Sequence, residues 1–215
     1  MHALDQYGTR RCPHPQRCLT TRATGSFDLT DNIARPGRTG GVRTMLWWGR
    51  FDPDYARNRV LRRCLQQSAW RISDFYPRSS LTAAWEARWR AFENVDVVWV
   101  PCFRQRDIES ASVWCQKRGL PLYFDPLISA FDKQVNERAK FAPNSAKAQR
   151  LLAWERKLFA LADRIIADTQ AHADYFSDTL RVPADRMSVV PVGADEEGFT
   201  LQPATAPRDR VEVLF

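Results

Sequence analysis

The stretch DRIIADTQAHADYFSDTLRVPADRMSVVPVGAD, residues 163–195, decides the fold class. Its apolar run at 164–167 predicts a strand, residues 171–180 predict an amphipathic helix, and residues 187–190 predict a second strand. A Pro-x-Gly-x-Asp segment at 191–195 then leads away from that strand. Strand, helix and strand in this order are typical of a parallel βαβ unit. The stretch therefore predicts an α/β protein.

The same alternation continues toward the N-terminus. Short apolar runs such as DVVWV at 96–100 are typical of strands that are buried on both faces, and Gly119 is a usual stop for the helix before it. Because parallel strands are joined by right-handed crossovers, we predict a doubly wound, Rossmann-like sheet with helices on both faces. The predicted strands are 45–48, 71–75, 96–100 and 122–124, and the predicted helices are 58–68, 81–92, 108–118 and 146–162.

The chain divides into three parts. Residues 1–44 are rich in Arg, Thr, Gly and Pro and show no period, so we interpret them as a flexible extension; sequence read through from an early start codon is the alternative, because Met45 opens the first strand. Residues 45–200 form the predicted α/β domain. Residues 201–215 read as a linker and the first strand of a further domain.

Composition limits the classes of function. The chain has 215 residues, enough for one sizeable core, and its 44% hydrophobic and 27% charged residues are typical of a soluble globular protein. Residues 1–44 carry +4 of the net charge of +7, so the rest is only mildly basic and we expect no nucleic-acid partner. No segment resembles a secretory signal or a membrane span, which indicates a cytoplasmic protein. Five cysteines give no metal or disulfide framework.

Ligands of such sheets bind at the carboxyl ends of the strands. The loop after the first strand lacks the GxGxxG pattern, which argues against a nicotinamide or flavin cofactor. A single glycine before a helix can still admit a phosphate, and an ordinary solvated loop is the alternative. The candidate phosphate- or substrate-binding residues of this loop are Gly49, Arg50, Asp52, Arg57 and Asn58.

The next two loops add further candidates. Arg104 and Arg106 follow a strand and could present guanidinium forks to an anion, together with Lys133 after the following strand. Asp125 ends a buried strand, where a carboxylate is costly unless it meets a partner or a substrate, and it is our candidate catalytic residue. We expect Asp107 to cap the next helix. Cys102 is expected to be a buried, inert thiol, and no metal site is expected.

The predicted helix 81–92 carries an aromatic stripe that includes Trp85 and Trp89, with Arg88 and Arg90 beside it. We expect this stripe to pack on the sheet. The alternative is a peripheral contact with the inner face of the membrane, because basic amphipathic helices with Trp lie at such interfaces.

Two segments resemble glycosyltransferase family 4, whose members have the GT-B fold: LLAWERKLFALADRIIADT at 151–169 and VPADRMSVVPVGAD at 182–195. The resemblance covers residues 45–199 and implies the N-terminal, acceptor-binding half of a retaining enzyme. It implies no metal and no cofactor, with a nucleotide-sugar as co-substrate bound mainly by the missing C-terminal domain. It also places Gly49 and Arg50 in the loop that faces the donor diphosphate. Family members often carry His where this chain has Cys102 and Asp125.

The implied reaction is transfer of a sugar from a nucleotide-sugar donor to a saccharide, a lipid-linked intermediate or a small molecule. We expect this chain alone to be inactive, so the sequence leaves its status as an enzyme open. A stand-alone binding module without chemistry and a decayed gene product are the alternatives.

Overall fold

The structure, a computed structural model, describes residues 42–194. The predicted extension and the predicted linker with its strand therefore lie almost wholly outside the described residues. The described chain alternates strands and helices: β1 (Arg43–Trp48), α1 (Ala56–Gln67), β2 (Trp70–Phe75), α2 (Ala83–Trp89), β3 (Val97–Val100), α3 (Ile108–Arg118), β4 (Leu122–Phe124), α4 (Ala146–Leu161), β5 (Arg164–Ala167), α5 (Gln170–Asp178) and β6 (Met187–Val189).

All six strands pair in parallel in one sheet of order β2-β1-β3-β4-β5-β6. The predicted α/β fold is thus confirmed. The chain moves outward from β1 to β2, returns to β3 and then continues in the other direction. Since crossovers are right-handed, this reversal places the first helix on one face and the later helices on the other. The switch point between β1 and β3 is where ligands of such sheets bind.

The larger core lies between the sheet and helices α2 to α5. Strand side chains that point to this face alternate with those that point away, as the period of two requires. Gly119 adopts the left-handed conformation with φ of 59°, which confirms it as the stop of α3. The buried residues of this core include Leu46, Trp48, Phe75, Val98, Val100, Ile108, Trp114, Phe124, Phe159 and Phe176.

Helix α2 corrects one expectation. The two tryptophans of its aromatic stripe do not pack on the sheet: Trp85 is 64% exposed and Trp89 is 72% exposed, whereas Ala83 and Ala87 are buried. Phe92, which continues the predicted stripe beyond the helix, does pack against the core. Trp48, Phe75 and Trp114 already occupy the core on this side of the sheet, so little volume is left there for two further indole rings. Only small side chains of α2 then pack against it.

The described residues contain no helix that is long and apolar enough to cross a membrane.

Candidate functional site

A buried ion pair lies at the carboxyl edge of the sheet. The Nε of Arg57 donates to the two carboxylate oxygens of Asp125, at 3.0 and 2.8 Å. The side chains are 2% and 0% exposed. Arg57 Nη1 also donates to the backbone oxygen of Val190 at 3.1 Å. One guanidinium therefore connects the start of α1 to the ends of β4 and β6.

This arrangement changes the role that geometry favours for Asp125. Burial raises its pKa to about 6, although the charge and the hydrogen bonds of Arg57 act to lower it. The carboxylate is enclosed and already paired, so it presents no oxygen to a sugar at the surface. The contacts favour a positioning role for both Asp125 and Arg57, in place of the catalytic and anion-binding roles expected from the sequence.

Asn58 is also engaged inside the protein. Its amide Nδ2 donates to the backbone oxygen of Asp52 at 2.7 Å, and its Oδ1 accepts from Cys102 Sγ at 3.3 Å. Burial, followed by the nearby Asp125 charge, raises the pKa of Cys102 to about 12. The expected burial of this thiol is confirmed, and a raised pKa disfavours the reactive thiolate. Asp52 itself is exposed and shapes the loop, because its Oδ1 accepts from the backbone N–H of Asp54.

Gly49 is required by a close approach at the end of β1. Its φ is +128°, and a Cβ placed there would lie 2.8 Å from Asp107 Oδ2 and 3.2 Å from Arg104 Nε. Arg104 Nε donates to that same oxygen at 2.6 Å. Arg50 follows Gly49 and is exposed. The two loops thus bring Gly49, Arg50 and Arg104 to one part of the edge.

Asp107 does not cap α3 with its side chain, which corrects the expectation. A 3₁₀ turn, Gln105–Asp107, runs directly into α3, and Asp107 has φ −86° and ψ −13°. An N-cap residue needs an extended backbone instead. Its carboxylate is fully buried and binds Arg104, while its Oδ1 has no hydrogen-bond partner among the described residues.

Two aromatic rings, those of Tyr55 and Phe103, and the cation of Lys133 form a rim that borders this edge. The rings of Tyr55 and Phe103 meet edge to face at 5.3 Å, and Lys133 Nζ lies 5.9 Å from the centroid of Phe103. Phe103 is 45% exposed and has φ of +64°, a conformation that is costly for a bulky residue and is found at functional sites. Tyr55 and Phe103 could not be identified from the sequence, because nothing local in it signals a positive φ.

The loop after β4 is held by a buried carboxylate that no local pattern in the sequence indicates. Glu155 accepts from Ser129 Oγ at 2.7 Å and from the backbone N–H groups of Ala130 and Phe131 at 2.6 and 2.8 Å. Burial raises the pKa of Glu155, and these three hydrogen bonds lower it. The anchored loop leads into a π-helix, Asp132–Glu137, that carries Lys133 to the rim. Single π turns are frequent at functional sites.

Arg106 points elsewhere. It lines a separate groove of about 620 Å³ with Glu109, two serines and apolar side chains of α4. The two predicted guanidinium forks are therefore apart: Arg104 lies beside Gly49, and Arg106 belongs to the groove. The two serines are Ser79 and Ser80, the apolar side chains of α4 are Leu151, Trp154 and Leu158, and Leu81 also lines the groove.

Among residues 42–194, no three His, Cys, Asp or Glu side chains are grouped so that they could hold a metal ion. The Nδ1 of His172 contacts Asp168 Oδ1, and the imidazole stacks on Phe176 at 5.9 Å. His172 is thus bonded locally, to a partner four residues earlier in the connection between β5 and α5.

Comparison with known proteins gives the family. The model of the family described as "Glycosyl transferase 4-like domain" matches residues 8–193, starting well ahead of the predicted domain boundary at residue 45. No curated protein matches. Crystal structures of HepE from Anabaena are similar. The complex with UDP and glucose is 14% identical in sequence and has a TM-score of 0.48, and the match covers 76% of this chain and 48% of the HepE chain. The complex with UDP is 16% identical in sequence and has a TM-score of 0.44, and the match covers 72% of this chain and 45% of the HepE chain.

The chain spans about half the length of these solved structures. The assignment rests on the family model, which covers most of the chain. This chain belongs to the Glycosyl transferase 4-like domain family.

Proposed function

We propose that this chain is the acceptor-binding half of a retaining glycosyltransferase, which moves a sugar from a nucleotide-sugar donor to a saccharide, a lipid-linked intermediate or a small molecule. The observation that carries the proposal is the family match over residues 8–193. In this proposal residues 45–200 are the acceptor-side domain. A second domain would bind most of the donor.

The edge at Gly49 is proposed to face the donor diphosphate. Gly49 lets the Arg104–Asp107 pair come close to the end of β1, and the Arg104 side chain keeps 24% of its surface exposed. Arg50 adds a second exposed positive charge in the adjacent position. Charges that are already in place where a diphosphate departs stabilise the transition state without reorganising. Arg50 and Arg104 would serve this purpose.

The groove of Arg106 is proposed to hold the acceptor. Ligand sites are concave and largely apolar, with a few polar groups that fix orientation. Here Leu151 and Trp154 supply apolar surface, while Arg106, Glu109 and the two serines supply polar groups. Glu109 Oε1 accepts from Lys157 Nζ at 2.7 Å, which fixes the carboxylate at one side. A sugar with several hydroxyls would find both donors and acceptors in this groove.

The chain alone is proposed to be inactive. Asp125, the candidate catalytic carboxylate, is enclosed and paired with Arg57, so its part in the reaction is to hold the edge in shape. The groups that bind the nucleotide would come from the second domain. Sugar transfer by this chain without any added domain would contradict this part of the proposal.

The test is isothermal titration of the full chain with simple glycosides, nucleoside diphosphates and nucleotide-sugars. One variant, Ser80→Ala with Arg106→Ala, removes polar groups of the groove. A second, Arg50→Ala with Arg104→Ala, removes the edge charges. The matched control is Arg71→Ala, at an exposed arginine of β2.

We expect the wild-type chain to bind a glycoside. The affinity of the groove variant should be at least about tenfold lower, because two or more hydrogen bonds are lost. The control should bind the glycoside as tightly as the wild-type chain. Nucleotides should bind weakly and depend on Arg50 and Arg104. Tight nucleotide binding that is unchanged in the Arg50→Ala, Arg104→Ala variant would favour a stand-alone binding module. A folded chain that binds none of these ligands would refute the proposal.

A further inference from the structure

Helix α2 turns its largest apolar side chains toward solvent. Leu81 just before the helix is 90% exposed, Trp85 is 64% exposed and Trp89 is 72% exposed. The two indoles meet edge to face at 5.7 Å. Val113 on the neighbouring α3 is 46% exposed. These four residues form a surface that we call the tryptophan face, and a contiguous apolar surface of this kind marks an interaction site.

A shallow hollow lies in the tryptophan face. Its volume is about 500 Å³, and it runs between α2 and α3, with Trp85 on one side, Val113 on the other and Trp114 lining it as well. Two smaller depressions also contact Trp85 and Trp89. The face is therefore not a flat set of isolated side chains. It has recesses in which an acyl chain or a headgroup could lie.

Positive charges surround the face. Arg88 and Lys117 are exposed and line the hollow, and the guanidinium of Arg118 lies 4.6 Å above the Trp114 ring. The acidic side chain of α2, Glu86, is only 17% exposed, because Arg90 Nη2 and the backbone N–H of Arg78 both donate to it. The outward charge next to the indoles is thus cationic.

We propose that the tryptophan face docks on the surface of an anionic lipid bilayer. Indole rings favour the headgroup region, where an apolar body and a polar N–H are both accommodated. Neighbouring Lys and Arg side chains are attracted by anionic headgroups. Arg88 and Lys117 stand beside the indoles, so both contributions act at one contact. This proposal does not depend on the proposed function.

The same charges argue against a second copy of the chain as the occupant. A symmetric dimer brings the same patch of both copies together, so the cations Arg88 and Lys117 of one copy would lie near the same cations of the other. Like charges across an interface disfavour association. An anionic surface removes this repulsion and uses the cations.

The test is co-sedimentation of the full chain with vesicles of phosphatidylcholine alone or with about one-third anionic phosphatidylglycerol. We expect the wild-type chain to bind the anionic vesicles and to be released by high salt. Trp85→Ala with Trp89→Ala should lower the partition coefficient at least about tenfold, because two interfacial rings are lost. Both positions are exposed, so thermal unfolding should be unchanged.

A charge variant keeps the test independent of the indoles. Arg88→Ala with Lys117→Ala should lower partitioning on anionic vesicles by about 25-fold, from roughly fivefold per charge, and leave the weak binding to neutral vesicles unchanged. The matched control, Lys140→Ala with Arg150→Ala, removes the same net charge at exposed positions elsewhere and should lose less than about threefold.

Three results would overturn the proposal. The first is a wild-type chain that does not sediment with anionic vesicles. The second is an equal loss in the control, which would reduce the binding to net charge. The third is a dimer in analytical ultracentrifugation that the tryptophan variant dissociates, without any vesicle binding, which would identify a second copy as the occupant.

Discussion

Replacing Arg57 by Met should destabilise the chain in a way that depends on pH. Met keeps much of the side-chain volume but removes the charge and the bonds to Asp125 and Val190. Both members of the pair are buried, at 2% and 0% exposed. Removing one partner of a buried pair leaves an uncompensated charge and costs about 3–5 kcal/mol. We expect this loss at pH 8.

The dependence on pH follows from the pKa of Asp125. In the wild-type chain that pKa is about 6, above its ordinary value of 3.8, so the stability contributed by this group is lost as pH rises from about 4 to about 6 and is constant above that. Without Arg57 the pKa rises further, and the loss continues to higher pH. Each additional unit costs about 1.4 kcal/mol. A rise of about two units would make the variant about 2 kcal/mol less stable, relative to wild type, at pH 8 than at pH 6, because Asp125 is half-titrated at pH 6 in wild type and at pH 8 in the variant.

The assay is urea unfolding, followed by circular dichroism at pH 6 and pH 8, of the wild-type chain, the single variants Arg57→Met and Asp125→Asn, and the double variant that combines them. The double variant has no buried charge at this site, so it should recover most of the stability lost at pH 8 and show little dependence on pH. An Arg57→Met effect that is equal at the two pH values would refute the reasoning. So would a double variant that loses the sum of the two single effects.

Three further outcomes are expected. Gly49→Ala should cost about 1–3 kcal/mol in urea unfolding, because the residue has φ of +128° and its Cβ would lie 2.8 Å from Asp107 Oδ2; an unchanged midpoint would show that the backbone relaxes freely there. Glu155→Gln should cost about 1–3 kcal/mol in the same assay, since an amide NH₂ would face an N–H or O–H donor. Maleimide labelling with peptide mapping should modify exposed Cys64 in the native chain and buried Cys102 only after unfolding, and rapid native labelling of Cys102 would contradict the described burial.

The sheet could be predicted because its signals are local. The segments at 97–100 and 122–124 are short apolar runs, and each is a strand covered on both faces. Gly119 ends α3 through a conformation that only glycine adopts without cost. Loops at the carboxyl ends of the strands were also predicted to carry the site, since that position follows from parallel topology alone.

Pairings between distant residues could not be predicted. Arg57 and Asp125 are 68 positions apart in the sequence. Each residue alone is therefore predicted to be a charge that can bind a ligand at the edge of the sheet. Their mutual burial removes both from the surface. Arg104 and Arg106 look equivalent in sequence, yet the turn Gln105–Asp107 directs them to different places.

The orientation of α2 required knowledge of the core. The helix has two stripes at a spacing of four residues, one of Ala83 and Ala87 and one of Trp85 and Trp89. Either stripe satisfies a helical period. The choice depends on how much volume is left above Trp48 and Phe75, which no local pattern contains.

Leu81 lines both the groove of Arg106 and the hollow of the tryptophan face. The proposed acceptor site is therefore one side chain away from the surface that would rest on lipid. An acceptor with a hydrocarbon tail could keep that tail in the bilayer while its headgroup reaches Arg106. Its search for the protein would then take place in two dimensions, and turnover by the complete enzyme of the proposed function would follow the acceptor's mole fraction in the membrane rather than its bulk concentration.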